Sequence, residues 1–474
     1  MNRENLHYDR GDELLGFDRQ TMTDLLLSRV ADVAFHSDSH VDDWIAGRLA
    51  TPRLMANIIP LHAMARWRIE RYSGNIRHDT GRFFSVIGVS AKHRTPTTQL
   101  EWDQPIIDQP EVGILGILAK RIDGVLHFCL HAKEEPGNIN SVQLSPTVQA
   151  TYSNYTCAHG GKTPLFVKYF LAPLPGGSTF AKLQTEDGGR FLYKSNRNMI
   201  VRIGDHELGE LPDGYIWLTL RQIAGLLRRD NLIHACTRSI LSALLLPDAE
   251  PLGSTDSTAM EQHRLTDSIA DAVQWLDDQK AANHMLAQRK GLDTLKEWGM
   301  DGDGFFAHID KRFFRIMGLE VTSEGREVSR WSQPILANPE PGIIGLLVRR
   351  RGNERQFLMQ AKAEIGNRSV VQLAPTVQFT PGNYIGNMRL PKPFLFEEFS
   401  GSGRFPVLAE TRQAEEGARF FREQHLHRIL ALPENGDLEL PPDYRWLSES
   451  QIRFFLHLGE SVNSCARSIL ACLL

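Results

Sequence analysis

Cysteine is scarce. Five occur in 474 residues (Cys129, Cys157, Cys236, Cys465 and Cys472), too few and too scattered for a disulfide framework or a paired-cysteine metal knuckle. No apolar run approaches the roughly 18 residues of a membrane span. The opening segment MNRENLHYDRGDELLGFDRQ lacks the apolar core of a secretory signal, so a cytoplasmic protein with reduced thiols is predicted. There is no excess of positive charge: 53 Lys and Arg face 57 Asp and Glu, for a net −4, which excludes a broad nucleic-acid-binding surface. The 17 histidines show no metal-ligand spacing, and no zinc or other metal is predicted. Nucleotide and hydrolase signatures are missing too: there is no GxGxxG after a strand, no GxSxG and no HExxH. Gly160-Gly-Lys-Thr163 resembles the end of a phosphate-binding loop, but position 156 is Thr where that loop needs Gly, and Pro164 follows.

What the sequence has is a repeat. Trp102-Asp-Gln-Pro105 returns as Trp331-Ser-Gln-Pro334, Gly113-Ile-Leu-Gly116 as Gly342-Ile-Ile-Gly345, and Cys236-Thr-Arg-Ser-Ile-Leu241 as Cys465-Ala-Arg-Ser-Ile-Leu470, always at an offset of 229. From His131 to Tyr155, 15 of 25 positions match their partners, which settles the register. A period this long is a whole domain written twice. The predicted organisation is a helical lead-in over 1–60, a first copy over 61–246, a connector over 247–291 and a second copy over 292–474. Pro247, Pro251, Gly253 and Ser254 mark a loop. Leu265, Ile269, Val273 and Leu276 then make the stripe of an amphipathic helix, about 257–289, expected to brace the dimer or interdomain surface. Within a copy, strands fill the middle and helices the end, with Asp123-Gly124 suited to a hairpin. This is an α+β fold with mixed or antiparallel sheets.

Alternation along a strand places the candidate chemistry. An extended Val125–Glu135 puts His127, Cys129, His131, Lys133 and Glu135 on one face, and the Glu135-Pro-Gly-Asn138 turn carries Glu135 to a cleft lip. An extended Val142–Thr151 aligns Gln143, Ser145, Thr147, Gln149 and Thr151. The second copy repeats the pattern with Gln360, Lys362 and Glu364, then Gln372, Ala374, Thr376, Gln378 and Thr380. The alternative is a face that merely meets water, but such a face gives no reason to keep Gln, Thr and Gln twice. Asn154-Tyr155 and Asn383-Tyr384 suit a base or sugar, with a packed Tyr as the alternative. Arg190 and Arg419 suit a diphosphate or an internal carboxylate. Cys236 and Cys465 read as small buried hydrophobes.

At Gln143-Leu-Ser-Pro-Thr-Val-Gln149 and Ser153-Asn-Tyr-Thr156 the sequence resembles the NDP-hexose 2,3-dehydratases. Gln104-Pro-Ile106, Ala132-Lys-Glu-Glu-Pro-Gly-Asn138, Glu186-Asp-Gly-Gly-Arg-Phe191 and Cys236-Thr-Arg-Ser-Ile240 extend the likeness over about residues 40–474. The second copy departs at Ile365, where the first has Pro136, and at Pro381-Gly-Asn-Tyr384. The resemblance implies two tandem Nudix-like domains, a homodimer, and a nucleotide-sugar pocket in each copy, one working and one a relic. It implies dTDP-4-keto-6-deoxyglucose as substrate, loss of its C2 hydroxyl, a 3,4-diketo-2,6-dideoxy product for deoxysugar and antibiotic biosynthesis, and a downstream 3-ketoreductase. The metal-binding Nudix signature is absent, so no hydrolysis and no cofactor are expected.

Such a lyase needs a base for the C3 proton, a donor for the enolate oxygen and an acid for the leaving hydroxyl. Glu135 is expected as base, Lys133 as enolate or diphosphate holder and His131 as acid. Gln143, Ser145, Thr147, Gln149, Asn154, Tyr155 and Arg190 are expected to bind the substrate. The second pocket would hold Lys362, Glu364, Gln372, Thr376, Gln378, Asn383, Tyr384 and Arg419. His131 and Ser145 are replaced by Gln360 and Ala374 in the second copy, which favours catalysis in the first. The rival readings are a non-catalytic nucleotide-sugar-binding or scaffold protein and, behind it, a metal-dependent hydrolase.

Overall fold

Asp123 and Gly124 do turn a hairpin: both take positive φ (49° and 83°), as a two-residue turn between twisted strands requires. The computed structural model describes residues 17–96, 99–156, 162–171, 179–246, 259–324, 328–352, 354–386, 390–433 and 436–474, with backbone alone for 259–264 and 266–267. Cys157, Gly160-Gly161 and the Pro247–Ser254 loop lie outside these residues. The hairpin strands Gly113–Ile122 and Val125–Glu134 centre a seven-stranded sheet. Ser195–Arg202 lies parallel to the first of them, so the sheet is mixed. The second copy repeats it around Gly342–Arg351, Glu354–Ala363 and Gln424–Ala431. The protein is α+β.

Neither face of the first copy's central sheet is left to water. Phe128, Leu130 and Leu144 pack under the helices Leu220–Leu227 and Ala235–Leu241. Cys129, Val148 and Ala150 pack under Phe166, Val167 and Phe170. Gly116 is glycine because a Cβ there would stand 2.3 Å from the Phe170 ring, and Gly345 meets Phe399 in the same way.

The second sheet of each copy is completed by a strand from the other. Leu54–Ile59, assigned by sequence to the lead-in, pairs antiparallel with Arg315–Ser323 of the second copy. His284–Lys290, assigned to the connector, pairs antiparallel with Ser85–Arg94 of the first. The copies exchange equivalent strands, each lying just ahead of the boundary predicted at 61 or 292. The connector helix is described over Ala259–Ala282 and ends seven residues short of the expected 289. Ala272 and Leu276 are buried in the second copy's core, with Val273 packed against it, and Ile269 is buried as well. Much of its stripe is therefore covered inside the chain.

The lead-in does for the first copy what that helix does for the second. Asp24 of the helix Arg19–Val30 is 3% exposed and accepts from Arg121 Nη2 at 2.7 Å and Arg202 Nη1 at 2.8 Å. His127 accepts the Phe35 N–H on Nε2 at 3.0 Å, which makes it an anchor for the lead-in. No helix among the described residues is long and apolar enough to cross a membrane.

Candidate active site

Lys133 lies near the end of its strand and Glu135 on the turn just beyond, 5% exposed rather than on an open lip. Lys133 Nζ is 2.8 Å from Glu135 Oε1. Glu135 Oε2 is 2.9 Å from His234 Nε2 and accepts the N–H of Ala418 at 3.0 Å. His234 is the N-cap of the helix Ala235–Leu241, and its Nδ1 accepts from Cys236 N at 3.1 Å, which leaves Nε2 protonated and donating. Burial alone would raise the Glu135 carboxyl. The Lys133 charge and the His234 hydrogen bond outweigh it and hold Glu135 well below the usual 4.5.

Ala418 belongs to the second copy, and it is not the only visitor. Lys133 donates to Gln149 Oε1 at 2.6 Å, and Gln149 Nε2 donates to Glu416 Oε1 at 2.8 Å. The Glu416–Phe420 turn reaches the site because the backbones interlock: Gly137 N bonds Gly417 O and Arg422 N bonds Gly137 O, both at 2.7 Å. Gly366 makes the reciprocal pair with Gly188 and Tyr193 at 2.8 and 2.7 Å.

The second copy's cluster has the same parts in a different arrangement. Gln378 Nε2 turns onto Glu364 Oε1 at 2.7 Å, Asn367 donates to Glu364 Oε2 at 3.1 Å, and Lys362 stands back at 3.7 Å. Asn463 occupies the His234 position and donates to Gln378 at 2.8 Å. With weaker compensation, burial wins and the Glu364 carboxyl is raised.

Several expected binding residues do other work. The strand breaks at Thr147, and Val142–Pro146 pairs with Val125–Glu134 while Val148–Ala150 pairs with Gly113–Ile122. Thr147 plugs the gap, donating to Cys129 O at 2.5 Å and accepting from Leu118 N at 3.0 Å. Thr376 repeats this with Leu358 O and Leu347 N at 2.6 and 2.8 Å. The break resets the alternation: Leu144 joins one core, while Val148 and Ala150 join the other. The predicted row is thus split, with Gln143 and Ser145 fully buried and Gln149 partly open. Gln372 is consumed by Thr185 Oγ1 and Glu460 O at 2.9 and 2.7 Å. Gln143 meets no such hydroxyl, because the counterpart of Thr185 is Ala414, and its amide has no hydrogen-bond partner among the described residues.

Arg190 and Arg419 staple the two copies together. Arg190 stacks on Phe314 and Arg419 on Phe84, each guanidinium 4.1 Å from the ring centre. Their outer nitrogens reach Asn338 and Gln109 at 3.4 and 3.2 Å. His131 is set by a parallel stack on Tyr215, ring centres 4.3 Å apart. Asn154 is exposed. Tyr155 meets Tyr152 edge-on and packs against the core that holds Phe166, and Tyr384 packs against Phe379 and Phe396. Cys236 and Cys465 flank the cavity between the copies with thiols pushed up by burial, as expected of packing residues.

Sequence reasoning missed His234 and Glu416. A histidine at an N-cap position, where the second copy has the ordinary Asn463, was the available signal for the first. Glu416 sits in the repeated Glu-Asp/Glu-Gly segment, whose role only the interlock discloses.

A family model described as NDP-hexose 2,3-dehydratase matches residues 38–244 and 269–473. Three proteins named dTDP-4-dehydro-6-deoxy-alpha-D-glucopyranose 2,3-dehydratase are each 37% identical to this chain. That of Saccharopolyspora spinosa aligns over 440 residues, 91% of this chain and 90% of its own. That of Streptomyces violaceoruber aligns over 452, 94% and 97%. That of Amycolatopsis orientalis aligns over 434, 91% and 88%.

Proposed function

The chain belongs to the NDP-hexose 2,3-dehydratase family, and from that premise we propose that it removes the C2 hydroxyl of dTDP-4-keto-6-deoxyglucose. The product is the 3,4-diketo-2,6-dideoxy sugar nucleotide, and the enzyme is a lyase. The observation that carries this reading to particular residues is the Lys133–Glu135 pair, an ammonium held 2.8 Å from an ionised carboxylate. The C4 ketone acidifies the C3 proton, Lys133 holds the enolate oxygen that forms, and Glu135 takes the proton on Oε1. Oε2 is occupied by His234 and Ala418, which fixes the carboxylate's orientation. No hydride moves, and the enol left after water departs tautomerises to the 3-ketone.

Catalysis is placed in the first copy, with the second copy's pocket a relic of duplication. One observation favours the reverse: the raised Glu364 carboxyl holds a proton more readily and is the stronger base when ionised. Glu135→Gln and Glu364→Gln, each assayed for water loss and for dTDP binding, decide between them. Loss of a general base costs about 10²–10⁴ in rate. That loss in the Glu135 variant, with the Glu364 variant near wild type, supports the first copy; the opposite pattern moves the site. A wild-type chain that binds the sugar nucleotide unchanged is instead a binding protein. We read each copy's seven-stranded sheet with its closing helices as Nudix-like, the assembly as a cytoplasmic homodimer, and a 3-ketoreductase as the consumer of the diketone.

A further inference from the structure

We infer that Glu416, carried by the second copy, is the acid that gives its proton to the departing C2 hydroxyl in the first copy's site; this rests on the dehydratase reading above. Elimination needs two proton-handling groups that do not compete for one role. Glu135 stands directly against the Lys133 ammonium at 2.8 Å, and Glu416 is reached from it through Gln149. Their surroundings differ. Glu135 is gripped by Lys133, His234 and Ala418. The Glu416 carboxyl accepts from Gln149 on Oε1, and Glu416 lines the cavity between the copies. Burial and the facing Glu135 and Glu186 raise its carboxyl against the pull of Arg419 and His234, so the protonated form is within reach. A pair of carboxyls whose surroundings push their proton affinities apart is the arrangement that base-then-acid chemistry uses.

The second cluster lacks this part. Its counterpart of Glu416 is Asp187, one methylene shorter, whose carboxyl caps its own turn at Gly189 N, 2.8 Å away. Gln378 has turned from it to Glu364 and Asn463. The proposed step balances. The C3–H bond breaks, the proton passes to Glu135, and the electron pair enters the C4 carbonyl as an enolate beside Lys133. That pair returns to form C2=C3 as the C2–O bond breaks. Glu416 supplies the proton with which the hydroxyl leaves as water.

The test uses the full chain with dTDP-4-keto-6-deoxyglucose in D2O, followed by NMR for both C3-hydrogen exchange and sugar dehydration, with dTDP binding by calorimetry. Glu416→Gln is expected to lose about 10²–10⁴ in dehydration rate, while keeping C3 exchange and dTDP affinity. It also loses the high-pH decline that wild type shows as the acid ionises. Glu416→Asp recovers part of the rate. Dehydration by Glu416→Gln at the wild-type rate overturns the proposal, as does loss of exchange and dTDP binding together in both variants, which marks a structural residue. A wild-type chain that neither exchanges nor dehydrates the sugar sinks the dehydratase reading, and this proposal with it.

Discussion

Glu135 and Glu364 occupy equivalent positions yet load the fold in opposite directions. Glu135 is held below its unfolded value, so its ionisation stabilises the fold above pH 4.5, and that contribution is lost as pH falls from there toward its low folded value. Glu364 is raised, so its ionisation burdens the fold at neutral pH, and the burden lifts as pH falls through its folded value. Glu135→Gln breaks a buried pair and should cost about 3 kcal/mol in urea unfolding at pH 7, with the gap to wild type narrowing in acid. Glu364→Gln should cost least at neutral pH. Parallel pH dependence in the two variants would refute the contrast. The sequence made the residue types legible but not their states. Alternation put Lys133, Glu135 and Gln149 on shared faces, and the structure brings the three side chains together. It failed for Gln143, Ser145 and Thr147, because a strand that changes neighbours at Thr147 resets the period of two on which the reading depends.

At the scale of elements, the Glu135–Asn138 turn is shaped by its partner rather than by its own backbone. Gly137 has no positive φ, and a Cβ there would stand 1.9 Å from Phe420 O in the other copy. Gly137→Ala should therefore destabilise by about 3 kcal/mol. Gly225, exposed within the helix Leu220–Leu227 with nothing near its missing Cβ, is the contrast. Gly225→Ala should stabilise by roughly 0.5–1 kcal/mol. Denaturant midpoints check both, and a neutral Gly137→Ala would show that the turn can withdraw. The hairpin at Asp123-Gly124 and the closing helices were legible because turn chemistry and helical periodicity are local. The partners of Leu54–Ile59 and His284–Lys290 were not, since a strand's own sequence says little about which edge it will join.

At the scale of the molecule, the duplication was plain from one offset held along the chain, but its consequence was not. Exchanged strands, crossed glycine backbones, the Arg190 and Arg419 staples and the Arg238–Ser468 and Arg467–Ser239 bonds, both 2.8 Å, sew the copies into one body. A protease site engineered between Leu246 and Ala259 should yield two fragments that co-elute on gel filtration and keep activity, whereas either copy expressed alone should fail to fold. Fragments that separate freely would contradict the interlock. A duplicated gene ordinarily leaves its spare half free to decay. Here each half supplies residues to the other, the second giving Glu416, Ala418 and Arg419 to the first copy's cluster. On the proposed assignment of catalysis to the first copy, selection polices both halves although one performs the reaction: drift is confined to what lies around Glu364, and the spare can erode as an enzyme but never be discarded as a domain.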